Sequence, residues 1–290
     1  MSEALPSTEE LTEKVLGQLC GQVSSERLKT ILESLIRHSH ALALEVGLSE
    51  AELQLGADFL RRTGQKCDDH RQEFLLLFDV LGISMLVDAV STASAGGTSS
   101  SLLGPFRVQG APQVSYGESL IRSEQPAGEV VLFLGKIVDQ SGEGVPGAQL
   151  ETWSTDGHAA YFVQDSNAEP FNLYGNVKAK EDGSYCFVSE LPVSYPIPVD
   201  GPVGELMQAC KRQPMRPAHT HFIVSAEGYQ QLQTQLFRCD DTYLHDDPVF
   251  AVKEELIVEF NASRDEQLAM EFGLPEEFRI LEFDFILTRL

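Results

Sequence analysis

The stretch EVVLFLGKIVDQSGEGVPGAQLETWSTD, residues 129–156, decides how the chain is read. Two apolar runs of strand length flank a glycine-rich turn at Gly142 to Gly147, a pattern that suits extended chain and breaks any helix. The same grammar continues downstream. KEDGSYCFVSEL (180–191) reads as a turn into a third strand. HTHFIVSAEGY (219–229), LQTQLFRC (232–239), ELIVEF (255–260) and FRILEFDFILTRL (278–290) add more short strands. An all-β sandwich or barrel is the economical fit, and a β-sandwich is expected.

Upstream the period changes. PSTEELTEKVLGQLC carries Ser7 with Glu10 three residues on, a capping box, and Ser49 with Glu52 repeats it. Between them Leu28, Ile31, Leu35 and Leu42 fall on one helical stripe, and helical period resumes in DDHRQEFLLLFDVLGISMLVDAV. These helices are more apolar than a solvated bundle requires, which points to a second copy as partner. STASAGGTSSSLLGPF (91–106) is a small-residue linker. The expected organisation is therefore a helical N-terminal domain, 1–105, and a β domain, 106–290, in a mainly β fold. There is no internal repeat and no glycine-rich phosphate loop.

The 290 residues carry 44 acidic and 21 basic side chains, a formal charge of −23. That balance argues against nucleic acid or an anionic membrane surface as partner. The first residues lack the basic lead and apolar core of an export signal, and the longest apolar stretch is interrupted by Asp79 and Asp88, so a soluble cytoplasmic protein without membrane insertion is expected. Five scattered cysteines with no C-x-x-C pair read as free thiols, and a thiolate zinc site is not expected.

MRPAHTHFIV (215–224) places His219 and His221 two apart. On a strand such residues share a face and can meet one metal ion. Taken alone, the pair is a weak signal, because seven histidines make chance pairs easy and ordinary core or surface histidines are the commoner case. His245 in YLHDDPVF reads as a surface turn residue. Tyr161 and Tyr195 lie in loop-like settings, where tyrosine is commonly a rim residue with a satisfied hydroxyl.

The run VSYPIPVDGPVGELMQACKRQPMRPAHTHFIVSAEGYQQLQTQLFRCDDTYLHDDPVF (193–250) resembles the intradiol ring-cleaving dioxygenases, which include catechol and hydroxyquinol 1,2-dioxygenases. So do GVPGAQLETWSTDGHAAY, FNLYGNVKAKEDGSYCF and, in the helical part, TGQKCDDHRQEFLLLFDVLGISMLVDA. The resemblance covers residues 25 to 260. It implies one Fe(III) per subunit held by Tyr161, Tyr195, His219 and His221. The donor set suits that ion, because phenolate is a hard anionic ligand that favours Fe(III), and two phenolates with one hydroxide cancel its charge.

The resemblance also implies reaction of a small aromatic diol or triol with O2. Cleavage falls between the hydroxyl-bearing carbons, with Tyr195 as the ligand that leaves and accepts a proton. Arg216 matches a residue that stabilises developing negative charge, and it would otherwise be a strand-entry arginine in a salt bridge. Gln235 matches a polar residue near the substrate, or is paired across the sheet.

LLGPF and AAYFVQ lean toward hydroxyquinol (benzene-1,2,4-triol), giving 3-hydroxy-cis,cis-muconate or maleylacetate. Catechol, giving cis,cis-muconate, is the alternative, and a non-enzymatic β-sandwich binding module is a reading of another class. Asp79 would accept a hydrogen bond from the third hydroxyl, or is a helix-surface acid. By likeness the ring pocket is lined by Leu76, Asp79, Leu103, Gly104, Pro105, Phe106, Ile197 and Pro198. STDGHAAY after Trp153 and Lys211, where glycine is usual, depart from the common pattern. The helical part resembles a homodimerisation domain whose interface can hold a phospholipid.

Overall fold

The computed structural model describes residues 7–68, 71–92 and 96–290; three residues of the expected linker, 93–95, lie outside that set. Helices α1 (Thr8–Cys20), α2 (Glu26–Glu45) and α3 (Glu50–Gln65) come first. Both capping boxes form. Ser7 N donates to Glu10 at 2.7 Å with Glu10 N returning to Ser7 Oγ at 3.3 Å, and Ser49 and Glu52 do the same at 2.9 and 3.3 Å. Such caps satisfy orphan N–H groups at the first turn, worth about 1 kcal/mol each. Helix α1 buries Leu16 and Cys20 and is tied to α2 by Thr12 with His40 and by Glu13 with Arg37. Helix α2 buries no residue, so the stripe of Leu28, Ile31, Leu35 and Leu42 stays exposed.

Two further helices, α4 (Glu73–Val80) and α5 (Ile83–Thr92), meet at 75°. Gly82 stands between them with φ +72°, a left-handed conformation that glycine adopts at little cost. No single helix among the described residues is long and apolar enough to cross a membrane.

The strands follow in chain order: β1 (Gln113–Val114), β2 (Val130–Asp139), β3 (Gln149–Ser154), β4 (Tyr174–Lys178), β5 (Ser184–Glu190), β6 (Tyr195–Pro196), β7 (Met215–Arg216), β8 (His219–Ser225), β9 (Leu232–Arg238), β10 (Ile257–Val258), β11 (Asn261–Ser263), β12 (Phe278–Glu282) and β13 (Phe285–Leu287). One sheet has the order β1-β4-β3-β8-β9-β10. A second has β11-β12-β2-β13, with β5 on the other edge of β2, and β6 pairs with β7 alone. The two strands that opened the sequence reading thus belong to different sheets. The turn between them closes locally, Asp139 N to Glu143 O at 2.9 Å and Val145 N to Ile137 O at 2.8 Å, and then delivers the chain to the other sheet.

The closing run of apolar residues splits into β12 and β13, both parallel to β2. At the break the backbone of Phe283 approaches Gly135 so closely that a Cβ there would lie 1.9 Å from its carbonyl oxygen. Side chains of both sheets form one core. Phe133 and Phe187 of the second sheet join Leu150, Phe222 and Leu236 of the first, and Phe133 meets Phe222 at 6.4 Å between ring centroids. Each such ring contributes roughly 2 kcal/mol by leaving water.

One expectation needs correction. The part after residue 105 is not all strand: α6 (Pro202–Ala209) and α7 (Glu266–Phe272) interrupt it. Pro202 suits the first turn of α6. Asp265 caps α7 by accepting from Gln267 N and Leu268 N, and Gly273 closes it with φ +65°. The chain divides into two compact units at Arg62/Thr63. Val80 and Met85, on α4 and α5, pack against the core of the sheets, so the apolar helices around residue 80 are part of the larger unit.

Candidate active site

Alternation along β8 sends Phe222 into the core between the sheets and His219 and His221 to the opposite face. There the expected pair does share one point, with the two Nε2 atoms 3.1 Å apart. Cross-strand register fixes their neighbours. His221 lies directly between Trp153 of β3 and Gln235 of β9, and His219 lies opposite Phe237. The short β6–β7 ribbon sets Tyr195 opposite Arg216.

Tyr161 arrives from the irregular segment between β3 and β4, which is clamped at several points. Asp156 Oδ1 accepts from His158 N and Ala160 N, Tyr161 N donates to Gln164 Oε1 at 3.0 Å, and the buried carboxylate of Glu190 accepts from Ala127 N and Gly157 N. The Tyr161 hydroxyl then lies 3.2 Å from His221 Nε2 and 3.5 Å from His219 Nε2. The Tyr195 ring stands edge-on to Tyr161 at 5.2 Å and near His219 at 5.6 Å. All four side chains are buried.

Burial, followed by the charge of Arg216 nearby, holds both imidazoles well below the ordinary 6.5, so both are neutral. His219 Nδ1–H donates to Pro217 O at 2.7 Å, which leaves the Nε2 lone pair facing the cluster. Burial, and then the charge of Tyr195, raises the Tyr161 phenol well above 10. Two imidazoles and two phenols gathered in one buried cluster are a donor set whose hard oxygens fit a trivalent cation. Among the described residues no group of three or more His, Cys, Asp or Glu could hold a metal.

Arg216 is buried beside the cluster, its NH1 3.2 Å from His219 Nε2 and 3.4 Å from the Tyr195 hydroxyl. NH2 donates to Gln235 Oε1 at 3.0 Å, and Gln235 Nε2 donates to Leu102 O at 2.6 Å. The guanidinium also forks onto Asp247, a contact that sequence reasoning missed although the residue sits in the quoted YLHDDPVF segment. Burial alone would lower the Arg216 pKa, but Asp247 and the two tyrosines outweigh it and raise it. His245 is an exposed turn residue, as expected.

A cavity of about 420 Å³ adjoins the cluster. Leu76, Asp79, Leu103, Gly104, Pro105, Phe106 and Pro198 line it, as expected, together with Arg71, Gln72, Glu73, Leu75, Ser84 and Leu102. Ile197, also expected there, is buried but is not among these lining residues; its N–H bonds to Pro214 O at 3.0 Å. Phe106 stacks on Tyr161 at 4.5 Å. Gly104, at φ +70°, passes so near His221 that a Cβ would sit 3.2 Å from its Cε1. Burial raises the Asp79 carboxyl above its ordinary value, partly offset by a hydrogen bond from Ser84 and by the charge of Arg216.

The chain resembles known proteins over most of its length. Residues 103–289 match the family model described as dioxygenase, and residues 25–98 match that of the catechol dioxygenase N terminus. The chain belongs to the intradiol ring-cleavage dioxygenase family. It is 42% identical over 263 residues to a 6-chlorohydroxyquinol 1,2-dioxygenase of Cupriavidus pinatubonensis, covering 90% of this chain and 94% of that protein. It is also 42% identical over 266 residues to a hydroxyquinol 1,2-dioxygenase of a Rhizobium species, covering 91% and 90%. Among solved structures, hydroxyquinol 1,2-dioxygenase of Pseudomonas putida DLL-E4 superposes with a TM-score of 0.89 at 38% identity, covering 98% of this chain and 99% of that one.

Proposed function

We propose that the protein inserts both atoms of O2 into hydroxyquinol, giving 3-hydroxy-cis,cis-muconate, the enol form of maleylacetate, in the breakdown of aromatic compounds. The observation that carries this reading is the Asp79 carboxyl, hydrogen-bonded to Ser84, among the leucine, proline and phenylalanine side chains of the cavity beside the buried cluster. Among the residues expected to line the ring, Asp79 is the one with an ionisable side chain, and a third ring hydroxyl would meet it.

One Fe(III) per subunit, held by Tyr161, Tyr195, His219 and His221, would supply a Lewis acid that acidifies the diol and readies the ring for O2. The chain does the rest. Tyr195 accepts a proton from an incoming substrate hydroxyl. Arg216 NH1, aimed at the same point, stabilises negative charge that develops on the ring. Gln235 ties Arg216 to the Leu102 carbonyl and so links the sheet to the cavity wall. Phe106 and the leucine and proline side chains orient the ring and exclude water.

The two sheets with one core between them support a β-sandwich catalytic domain, and the uncovered stripe on α2 supports a homodimer built through the helical part, with room there for a phospholipid. A cytoplasmic location belongs to the same reading. Oxygen uptake with hydroxyquinol and with catechol, each corrected for spontaneous oxidation and with the product identified, tests it. Rapid conversion of hydroxyquinol to maleylacetate is expected; preference for catechol with cis,cis-muconate as product would overturn the substrate assignment.

A further inference from the structure

We infer that Asp247 is a positioning residue for ring cleavage, fixing the Arg216 guanidinium so that its NH1 edge stays aimed at the donor cluster. The inference rests on the dioxygenase reading of the site. Asp247 and Arg216 have side chains 2% and 4% exposed, so neither charge is screened by water. Asp247 Oδ1 accepts from Arg216 Nε at 3.2 Å and Oδ2 from NH2 at 3.3 Å, a forked contact that sets the plane of the guanidinium as well as its place. That leaves NH1 for Tyr195 and His219.

The carboxylate is itself held. Val249 N donates to Oδ1 at 3.4 Å and Ala251 N to Oδ2 at 3.0 Å. Its backbone carbonyl accepts from Phe250 N at 3.1 Å and from Arg212 NH2 at 3.3 Å. Phe250 closes the turn at φ +59°, a conformation unusual for a side chain of that size and sustained here by those bonds. A long flexible arginine without such a partner would have several buried rotamers and an unpaired buried charge. With Asp247 the pair is neutral as a whole, while the NH1 edge keeps a fixed dipole where negative charge appears.

A plain structural salt bridge would tie the loop around residue 247 to the sheet with no bearing on turnover. The two roles separate in a mutant cycle of iron-loaded wild type, Asp247→Asn, Arg216→Gln and the double variant, followed by oxygen uptake with hydroxyquinol, iron content and the visible phenolate-to-iron absorption. Asp247→Asn is expected to lower kcat on the order of 100-fold with KM changed by less than about threefold, iron and colour retained. The double variant is expected to match Arg216→Gln within about twofold, because Asp247 then has nothing left to position.

Wild-type kcat in Asp247→Asn, or single losses that multiply in the double variant, would overturn the inference. Should Asp247→Asn not fold, the double variant, which leaves no unpaired buried charge, still decides against Arg216→Gln: equal kcat supports positioning, and a further fall of about tenfold refutes it. Lack of turnover in wild type loaded with iron would sink the dioxygenase reading together with this one, whereas an active wild type with an indifferent Asp247→Asn removes this one alone.

Discussion

The indole of Trp153 lies parallel to the imidazole of His221, with ring centroids 4.8 Å apart and planes at 5°. The two residues face each other across β3 and β8, and Trp153 also stacks on Tyr174 at 5.5 Å. Trp153 is the single tryptophan of the chain, so intrinsic indole fluorescence reports directly on a candidate metal ligand. Loading the iron-free protein with iron is expected to quench that emission. Trp153→Ala should cost about 3–5 kcal/mol in denaturant unfolding and weaken iron retention, because it opens a cavity beside His221. Emission that does not respond to iron would argue against a metal at His221.

Metal binding should release protons. In the iron-free protein burial keeps the Tyr161 phenol protonated far above neutrality, whereas a bound trivalent cation favours the phenolate. Iron affinity is therefore expected to rise between about pH 6 and 8, by up to about tenfold per pH unit for each proton released. Competition with a chelator of known affinity checks this, and Tyr161→Phe should flatten the dependence.

The histidine pair gives the iron-free protein an acid sensitivity of definite sign. Both imidazoles have folded-state pKa values below the unfolded value, so below about pH 6.5 the unfolded chain binds protons that the folded one refuses. Stability is lost as pH falls through that value, at up to about 1.4 kcal/mol per pH unit for each histidine, and neither contributes above it. Urea midpoints at pH 7.5 and 5.5 should differ less in the His219→Gln/His221→Gln double variant than in the parent. An equal pH dependence in both proteins would count against neutral buried imidazoles.

Asp79 is the substrate test. Asp79→Ala is expected to lower kcat/KM for hydroxyquinol by about 10- to 100-fold and to leave catechol within about threefold, because only the triol brings a hydroxyl to that wall. Equal losses on both substrates would make Asp79 a structural helix residue.

Lys211 offers a gain of stability. It follows α6 at φ +54°, in the left-handed region, which is a physical reason for glycine to be usual there. Lys211→Gly is expected to raise stability by about 0.5–1 kcal/mol with turnover unchanged, read from the thermal midpoint and oxygen uptake together. A lower midpoint would show that the lysine side chain contributes more than its backbone strain costs.

Local chemistry was legible in the sequence. The caps at Ser7 and Ser49, the strand around His219 and His221, and the apolar stripe of α2 depend on residues within a few positions of one another, where covalent geometry alone sets who faces whom. Asp265, two residues before Gln267, also signalled α7, but the surrounding strands obscured it. Family likeness named Tyr161, Tyr195, His219 and His221, which the fold buries close together, and seven of the residues that line the cavity. Ile197, which it also named, is buried but is not among the residues that line the cavity.

Tertiary structure alone decided the remainder. Tyr161, Tyr195 and His219 lie tens of residues apart, and only the pairing of β8 with β3 and β9 and of β6 with β7 brings their polar atoms to one point. Whether α4 and α5 join the helices before them or the sheets after them depends on which apolar surfaces meet, and Val80 and Met85 meet the sheets. Asp247 carries no signature as a lone letter. It matters because folding buries it against Arg216, where an unpaired charge would be costly and a forked pair fixes direction.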